Sequence, residues 1–240
     1  MAGDVEFVET EPLRLKKPTV VTGFAGPGFV GSTALMYIVR NLGLRQRAYV
    51  KSRLVPPMML IVDGLPRHAL RIYSGEREGP ILVVSEALMS AESCWALGAE
   101  LIEWLTGKGA SAIVSVEGLP YGPPSMENVV FGFSTHRKDL LNFGVQATQE
   151  AVVSGMNACL LNECMGRGLS WTSLFVGTNM LSSIDYGASA AIIEVLNKMF
   201  GLVVDATPLK QRGEMMRQMA DRRAKGEVGG FLGSLRRRIG

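Results

Sequence analysis

Gly23-Phe24-Ala25-Gly26-Pro27-Gly28-Phe29-Val30-Gly31 decides the fold. Before it, Thr19 to Thr22 read as a short β-rich strand, and after it Val30 to Leu42 read as an apolar helix. Gly26, Gly28 and Gly31 therefore stand at a strand-to-helix turn with G-x-G-x-x-G spacing, the context in which a helix N-terminus can hold a pyrophosphate. A dinucleotide site also needs an acidic residue about 20 positions on, at the end of the next strand. That strand reads Arg47-Ala48-Tyr49-Val50-Lys51-Ser52 and has no carboxylate. Lys51 and Arg53 leave room for a 2′-phosphate. The competing reading needs no ligand: Gly23 and its neighbours let the chain turn tightly and let the helix lie close to the sheet.

The chain of 240 residues is 47% hydrophobic, enough for one large α/β domain with an extensive core. Pro18 to Val39 carries no charge, but its glycines and prolines mark a strand, a turn and a helix rather than one membrane span. Met1 to Lys17 lacks the apolar run of a signal peptide, so a cytoplasmic protein is expected. Cys94, Cys159 and Cys164 have no paired zinc spacing, and His68 and His136 are isolated. Buried free thiols are expected, with no metal, no cofactor and no readable catalytic triad.

The net charge of +3 hides a division. Lys210 to Gly240 holds nine Lys or Arg against three Asp or Glu, a net of +6, and the preceding residues sum to −3.

Short β-rich runs alternate with helical segments, which predicts an α/β fold with a mixed, largely parallel sheet flanked by helices. Met58–Val62 and Ala69–Tyr73, around Asp63-Gly64, read as a hairpin. Ile81-Leu82-Val83-Val84 reads as a central strand buried on both faces. Ser90 caps a helix with Cys94, Leu97, Leu101 and Leu105 on one stripe, ended by Gly107-Lys108-Gly109. Ala112–Val116 is a strand that runs into a loop from Glu117 to Pro124. Asn128–Ser134 and Val145–Val153 read as strands, Asn157–Met165 as a helix and Leu174–Val176 as a late strand. Asp185 caps a helix that Gly201 stops, and Thr207 caps a last helix with Pro208 in its first turn. That helix carries Met215, Met216 and Met219 among Arg212, Arg217, Arg222 and Arg223. Beyond it, glycines precede Leu235-Arg236-Arg237-Arg238-Ile239-Gly240, which reads as a solvated tail or a partner-binding one; nucleic acid is a weaker fit, because no recognition module surrounds the basic cluster.

With the glycine turn, Pro56-Pro57, Asp63-Gly64 leading to Arg71-Ile72-Tyr73, Ser85-Glu86 and Glu117-Gly118-Leu119-Pro120 in this order, the chain resembles the PAC2 family from about Thr19 to Val204. These are the proteasome assembly chaperones and their archaeal homologues. The resemblance implies an architecture like that of the purine-nucleoside phosphorylases, homo-oligomers or heterodimers, and a non-catalytic role in helping proteasome α subunits assemble. It divides the chain into an N-terminal segment 1–18, a PAC2-like domain 19–207 and a basic helix with tail 208–240. Family tails that insert between α subunits end in a hydrophobic residue, a tyrosine and any residue. Here Arg238-Ile239-Gly240 matches neither fixed position, which leaves Leu235 to Gly240 as a partner-binding candidate by charge alone. The alternative function is a nucleoside or nucleotide enzyme or sensor. It would place phosphate at Gly26, Gly28 and Gly31 and use Glu86 or Glu117, each just after an apolar strand, as acid or base. The plainer role for either glutamate is capping a helix or binding loop amides.

Overall fold

In the computed structural model, residues 5–13, 15–120, 128–136 and 139–219 are described. The tail candidate Leu235 to Gly240 lies outside them, as do Arg222 and Arg223.

The elements run β1 (Val5–Glu9), β2 (Thr19–Phe24), α1 (Val30–Asn41), β3 (Arg45–Ser52), β4 (Met59–Val62), β5 (Leu65–His68), β6 (Leu70–Ser74), β7 (Ile81–Ser85), α2 (Ala91–Gly107), β8 (Ala112–Pro120), β9 (Val130–Ser134), β10 (Gln146–Ala147), α3 (Gly155–Arg167), β11 (Ser170–Thr178) and α4 (Tyr186–Phe200). A helix over residues 207–219, α5, follows. Nine strands form one mixed sheet in the order β1-β3-β6-β7-β2-β8-β11-β9-β10. Its centre, β7-β2-β8-β11, is parallel throughout. The β1–β3, β3–β6, β6–β7 and β9–β11 pairs are antiparallel.

Two-sided burial follows from strand periodicity. Successive side chains point to opposite faces, so Ile81 and Val83 of β7 join the core under α2 and α3, whereas Leu82 and Val84 join the core under α1 and α4. Every β7 residue is buried, as its unbroken apolar run predicts. Each such side chain contributes about 1.5–3 kcal/mol of transfer free energy. Ser90 accepts from the Ser93 amide at the start of α2, and Asp185 accepts from the Ala188 amide at the start of α4. Gly201 ends α4 in a left-handed conformation. All three cysteines are buried free thiols.

Four local expectations need correction. The Asp63-Gly64 turn joins β4 to β5, both turn residues having positive φ, so the hairpin is a separate two-stranded ribbon. Ala69–Tyr73 instead feeds β6, between β3 and β7 in the main sheet. Glu117 to Pro120 is the end of β8, not a loop, because β11 supplies parallel partners as far as Thr178 opposite Pro120. Gly118 fits there because Pro27's carbonyl occupies the space a Cβ would take. Val145–Val153 forms only the two residues of β10, since Thr148 to Glu150 offers no apolar face to bury. Finally, the side chain that accepts from the start of α5 is Asp205, which bonds the Thr207 amide at 2.9 Å and whose carboxyl is held below its ordinary pKa chiefly by Thr207's side-chain and backbone donors.

Candidate functional site

The turn between β2 and α1 brings backbone against backbone. A Cβ on Gly23 would collide with Gly31's carbonyl, and one on Gly31 would stand 2.5 Å from the Val116 carbonyl oxygen of β8. Gly28 has φ +66, and a Cβ there would lie 2.8 Å from Thr178 Oγ1. Its carbonyl accepts from the Asp185 amide at 2.9 Å, which ties the turn to α4. Gly26 differs: its backbone is extended and nothing lies within 4 Å of a Cβ there. The space a Cβ would take at Gly23, Gly28 and Gly31 is thus filled by neighbouring protein atoms, whereas at Gly26 it opens onto free volume.

That volume is a cavity of about 510 Å³ at the C-terminal ends of β2 and β8. Gly26, Gly31 and Glu117 line it, so the structure brings together three of the residues that the sequence singles out. Phe24, Leu88, Met89, Val152 and Met156 supply apolar walls, and the start of α3 closes one side. Among the described lining residues there is no Lys, Arg or His. A phosphate at this turn would meet the Glu117 carboxyl without a compensating cation.

Glu117 rests on a buried polar row that the motifs did not reveal. Thr22 of β2, Ser115 of β8 and Ser173 of β11 are register partners across three adjacent strands, and all are fully buried. Trp171 Nε1 donates to Ser173 Oγ at 2.8 Å. Ser115 Oγ lies 3.0 Å from Ser173 Oγ and donates to Glu117 Oε1 at 3.2 Å. From the other side, Thr22 Oγ1 donates to Asn157 Oδ1 at 3.0 Å, and the Asn157 side chain bonds Glu117. Burial pushes the Glu117 carboxyl up to about 7, against the lowering effect of the Ser115 and Asn157 hydrogen bonds. The only sequence signal for this row was its pattern: hydroxyl residues inside strands otherwise made of Val, Ile and Leu.

Glu86 does something else. It receives Arg71 Nη2 at 2.6 and 2.8 Å, and the Arg71 side chain is completely buried. Arg71 also donates to the Tyr73 hydroxyl at 2.9 Å and the His68 carbonyl at 2.5 Å. Desolvation, then Arg71's charge, lowers the His68 pKa. Glu86 borders a second cavity of about 630 Å³, between α1, β4 and the start of α4. The two glutamates therefore do not share a site. Among the described residues no group of three or more His, Cys, Asp or Glu could hold a metal ion.

Beside the second cavity lies an apolar surface. Met59, Ile61 and Leu65 of the β4–β5 ribbon are exposed, Ile61 by 70%. Met215, Met216 and Met219 of α5 are exposed too. α5 is fastened by buried Leu209, by Arg212 over the Tyr186 ring at 4.3 Å and by a 2.6 Å ion pair from Lys210 to Glu194.

A model of the PAC2 family matches residues 20–224. The chain belongs to the PAC2 family. Another protein similar to this PAC2 chain, an uncharacterised protein of Methanocaldococcus jannaschii, is 29% identical over 217 residues, 89% of this chain and 88% of its own. Among solved structures, Pyrococcus furiosus PbaA, an archaeal homologue of proteasome-assembly chaperone, superposes with a TM-score of 0.80 at 26% identity, covering 98% of this chain and 97% of its own. Pyrococcus furiosus PbaB, an archaeal proteasome activator, has a TM-score of 0.76 at 18% identity over 91% of this chain and 98% of its own. That last likeness is one of fold alone. No helix among the described residues is long and apolar enough to cross a membrane.

Proposed function

We propose that this PAC2 protein is a non-catalytic, homo-oligomeric scaffold of the proteasome-assembly type, acting in the cytoplasm on proteasome α subunits or on their assembly intermediates. The observation that carries this reading is the likeness to the PbaA chain along almost the whole length. The purine-nucleoside phosphorylase type of architecture belongs to the same reading. Its working surface is the exposed apolar ribbon β4–β5 together with α5, continued by the basic tail from Leu235 to Gly240. Exposed apolar side chains such as Met59, Ile61 and Leu65 on the ribbon favour burial against a partner. The basic residues of the tail add steering toward acidic surface rather than much affinity, since exposed ion pairs contribute about 0–1 kcal/mol each.

The test is native mass spectrometry of the full chain, alone and with α subunits of its own proteasome, beside a chain ending at Gly229. Complexes that form with the full chain and vanish on truncation establish a tail-using assembly factor without the terminal tyrosine. Complexes that survive truncation but vanish in Ile61→Asp assign binding to the ribbon. A chain that ignores α subunits refutes the proposal.

A further inference from the structure

We propose that the cavity over Glu117 binds a small organic ammonium ion: a primary amine carried on an apolar body. This goes beyond the scaffold reading and does not depend on it.

The direction of the hydrogen bonds is the first argument. An indole N–H can only donate, so Ser173 accepts from Trp171. Ser115 has a single proton with two acceptors in reach, Ser173 Oγ and Glu117 Oε1; when Glu117 is ionised the proton goes to the carboxylate, and Ser173 then donates to Ser115. The chain of donors thus runs one way, from Trp171 through Ser173 and Ser115 to the carboxyl. Thr22 fixes the other branch, because its hydroxyl occupies the Asn157 carbonyl oxygen and turns the amide nitrogen toward Glu117. Two buried donor lines converge on one carboxyl, an arrangement that suits a carboxylate.

The second argument is that no described residue of the cavity wall supplies a cation for that carboxylate. The described walls are apolar or neutral, and Cys94 is the one other titratable side chain among them. A thiol has no positively charged form, and burial raises the Cys94 pKa, so it stays neutral. Burying an ion is costly unless a counter-charge accompanies it. The donor network therefore prepares an anion, while the described walls hold no cation to stabilise it. An ammonium group in the cavity completes the pair.

Size and walls define the rest of the ligand. About 510 Å³ falls within the usual range for small-molecule pockets. Phe24, Met89 and Met156 offer contact to a hydrocarbon or aromatic body, and exposed Leu88 and Val152 stand at the mouth. Nucleotides and phosphate are disfavoured, since their charge has the same sign as that of Glu117.

Phenethylamine, its uncharged analogue 2-phenylethanol and inorganic phosphate serve as probes in calorimetric titrations of the full-length protein at pH 8. The expected result is saturable binding of one phenethylamine per chain, with 2-phenylethanol at least tenfold weaker and no heat from phosphate. Glu117→Gln should weaken the amine at least tenfold and leave the alcohol unchanged, with circular dichroism confirming the fold. Val152→Trp changes a residue that is 77% exposed, so it should narrow the mouth and weaken both organic probes without unfolding the chain. Below pH 7 amine affinity should fall about tenfold per unit as Glu117 takes up its proton. Equal binding of alcohol and amine, undiminished amine binding in folded Glu117→Gln, binding of phosphate, or no amine binding at millimolar concentration would overturn the proposal.

Discussion

Glu86 and Glu117 occupy equivalent places in the sequence, each at or just past the end of a run of apolar strand residues, and the fold treats them in opposite ways. Glu86 meets a buried guanidinium, with two contacts below 3 Å to a side chain that has no exposed surface. Among the described residues Glu117 meets neutral donors alone, and its carboxyl is pushed up to about 7 by burial. The difference lies in which strand stands alongside. Glu86 follows β7, whose antiparallel neighbour β6 carries Arg71, whereas β8 has β2 and β11 beside it, and these contribute hydroxyls. Each carboxylate borders a cavity, but Glu86 is neutralised by an ion pair and Glu117 has no cation among the described residues around it. Strand order, which no local motif encodes, makes that assignment.

The sharpest way to break this contrast is at Glu86. Glu86→Ala leaves the Arg71 charge buried and uncompensated and should cost about 3–5 kcal/mol in urea unfolding. An effect below about 1 kcal/mol would show that Arg71 finds other support. At Glu117 the expected signature is a pH dependence. Its folded-state pKa of about 7 exceeds the ordinary 4.5, so the folded state holds this proton more tightly. Its contribution is fully present below about pH 4.5 and is lost as pH rises through about 7, a change of up to about 3 kcal/mol. Glu117→Gln should flatten stability across that interval, and an unchanged profile would contradict the raised pKa.

The glycines extend the comparison. Gly31→Ala drives a methyl into the Val116 carbonyl and should destabilise by about 1–3 kcal/mol. Gly26→Ala adds its methyl to open space on extended backbone and should change stability by less than about 0.5 kcal/mol. Equal thermal shifts for the two variants would remove the distinction between a packed glycine and a cavity-facing one.

Much of this was legible because local rules and tertiary context agreed. The β7 apolar run, the Ser90 and Asp185 caps and the Gly201 stop each read correctly from a few residues. The hairpin is misread because apolar runs, Met58–Val62 and Ala69–Tyr73, stand on either side of the Asp-Gly turn, and only the β6 pairing with β3 and β7 shows that the second belongs to the main sheet. Glu117-Gly118-Leu119-Pro120 looked like a loop because glycine and proline usually interrupt strands, yet Gly118 is needed where Pro27's carbonyl approaches. The cavity was half visible. Gly26, Gly31 and Glu117 were singled out one by one, but the row from Thr22 through Ser115 to Ser173 joins residues that are distant in the chain and exists only in register. Arg71 carried no signal of burial, since a charged residue inside a short strand normally points to solvent.

The place of β2 also shapes how the chain comes to be made. It is synthesised before both of the strands that cover its edges: Val20 pairs with Ile81 on one side and with Ile113 on the other. At about 5–20 residues per second, roughly 5–20 s separate the appearance of β2 from that of β8. During that interval an apolar strand with two unpaired edges is open to the wrong partner. A sheet in this strand order leaves its first central strand incompletely paired until β8 has been made.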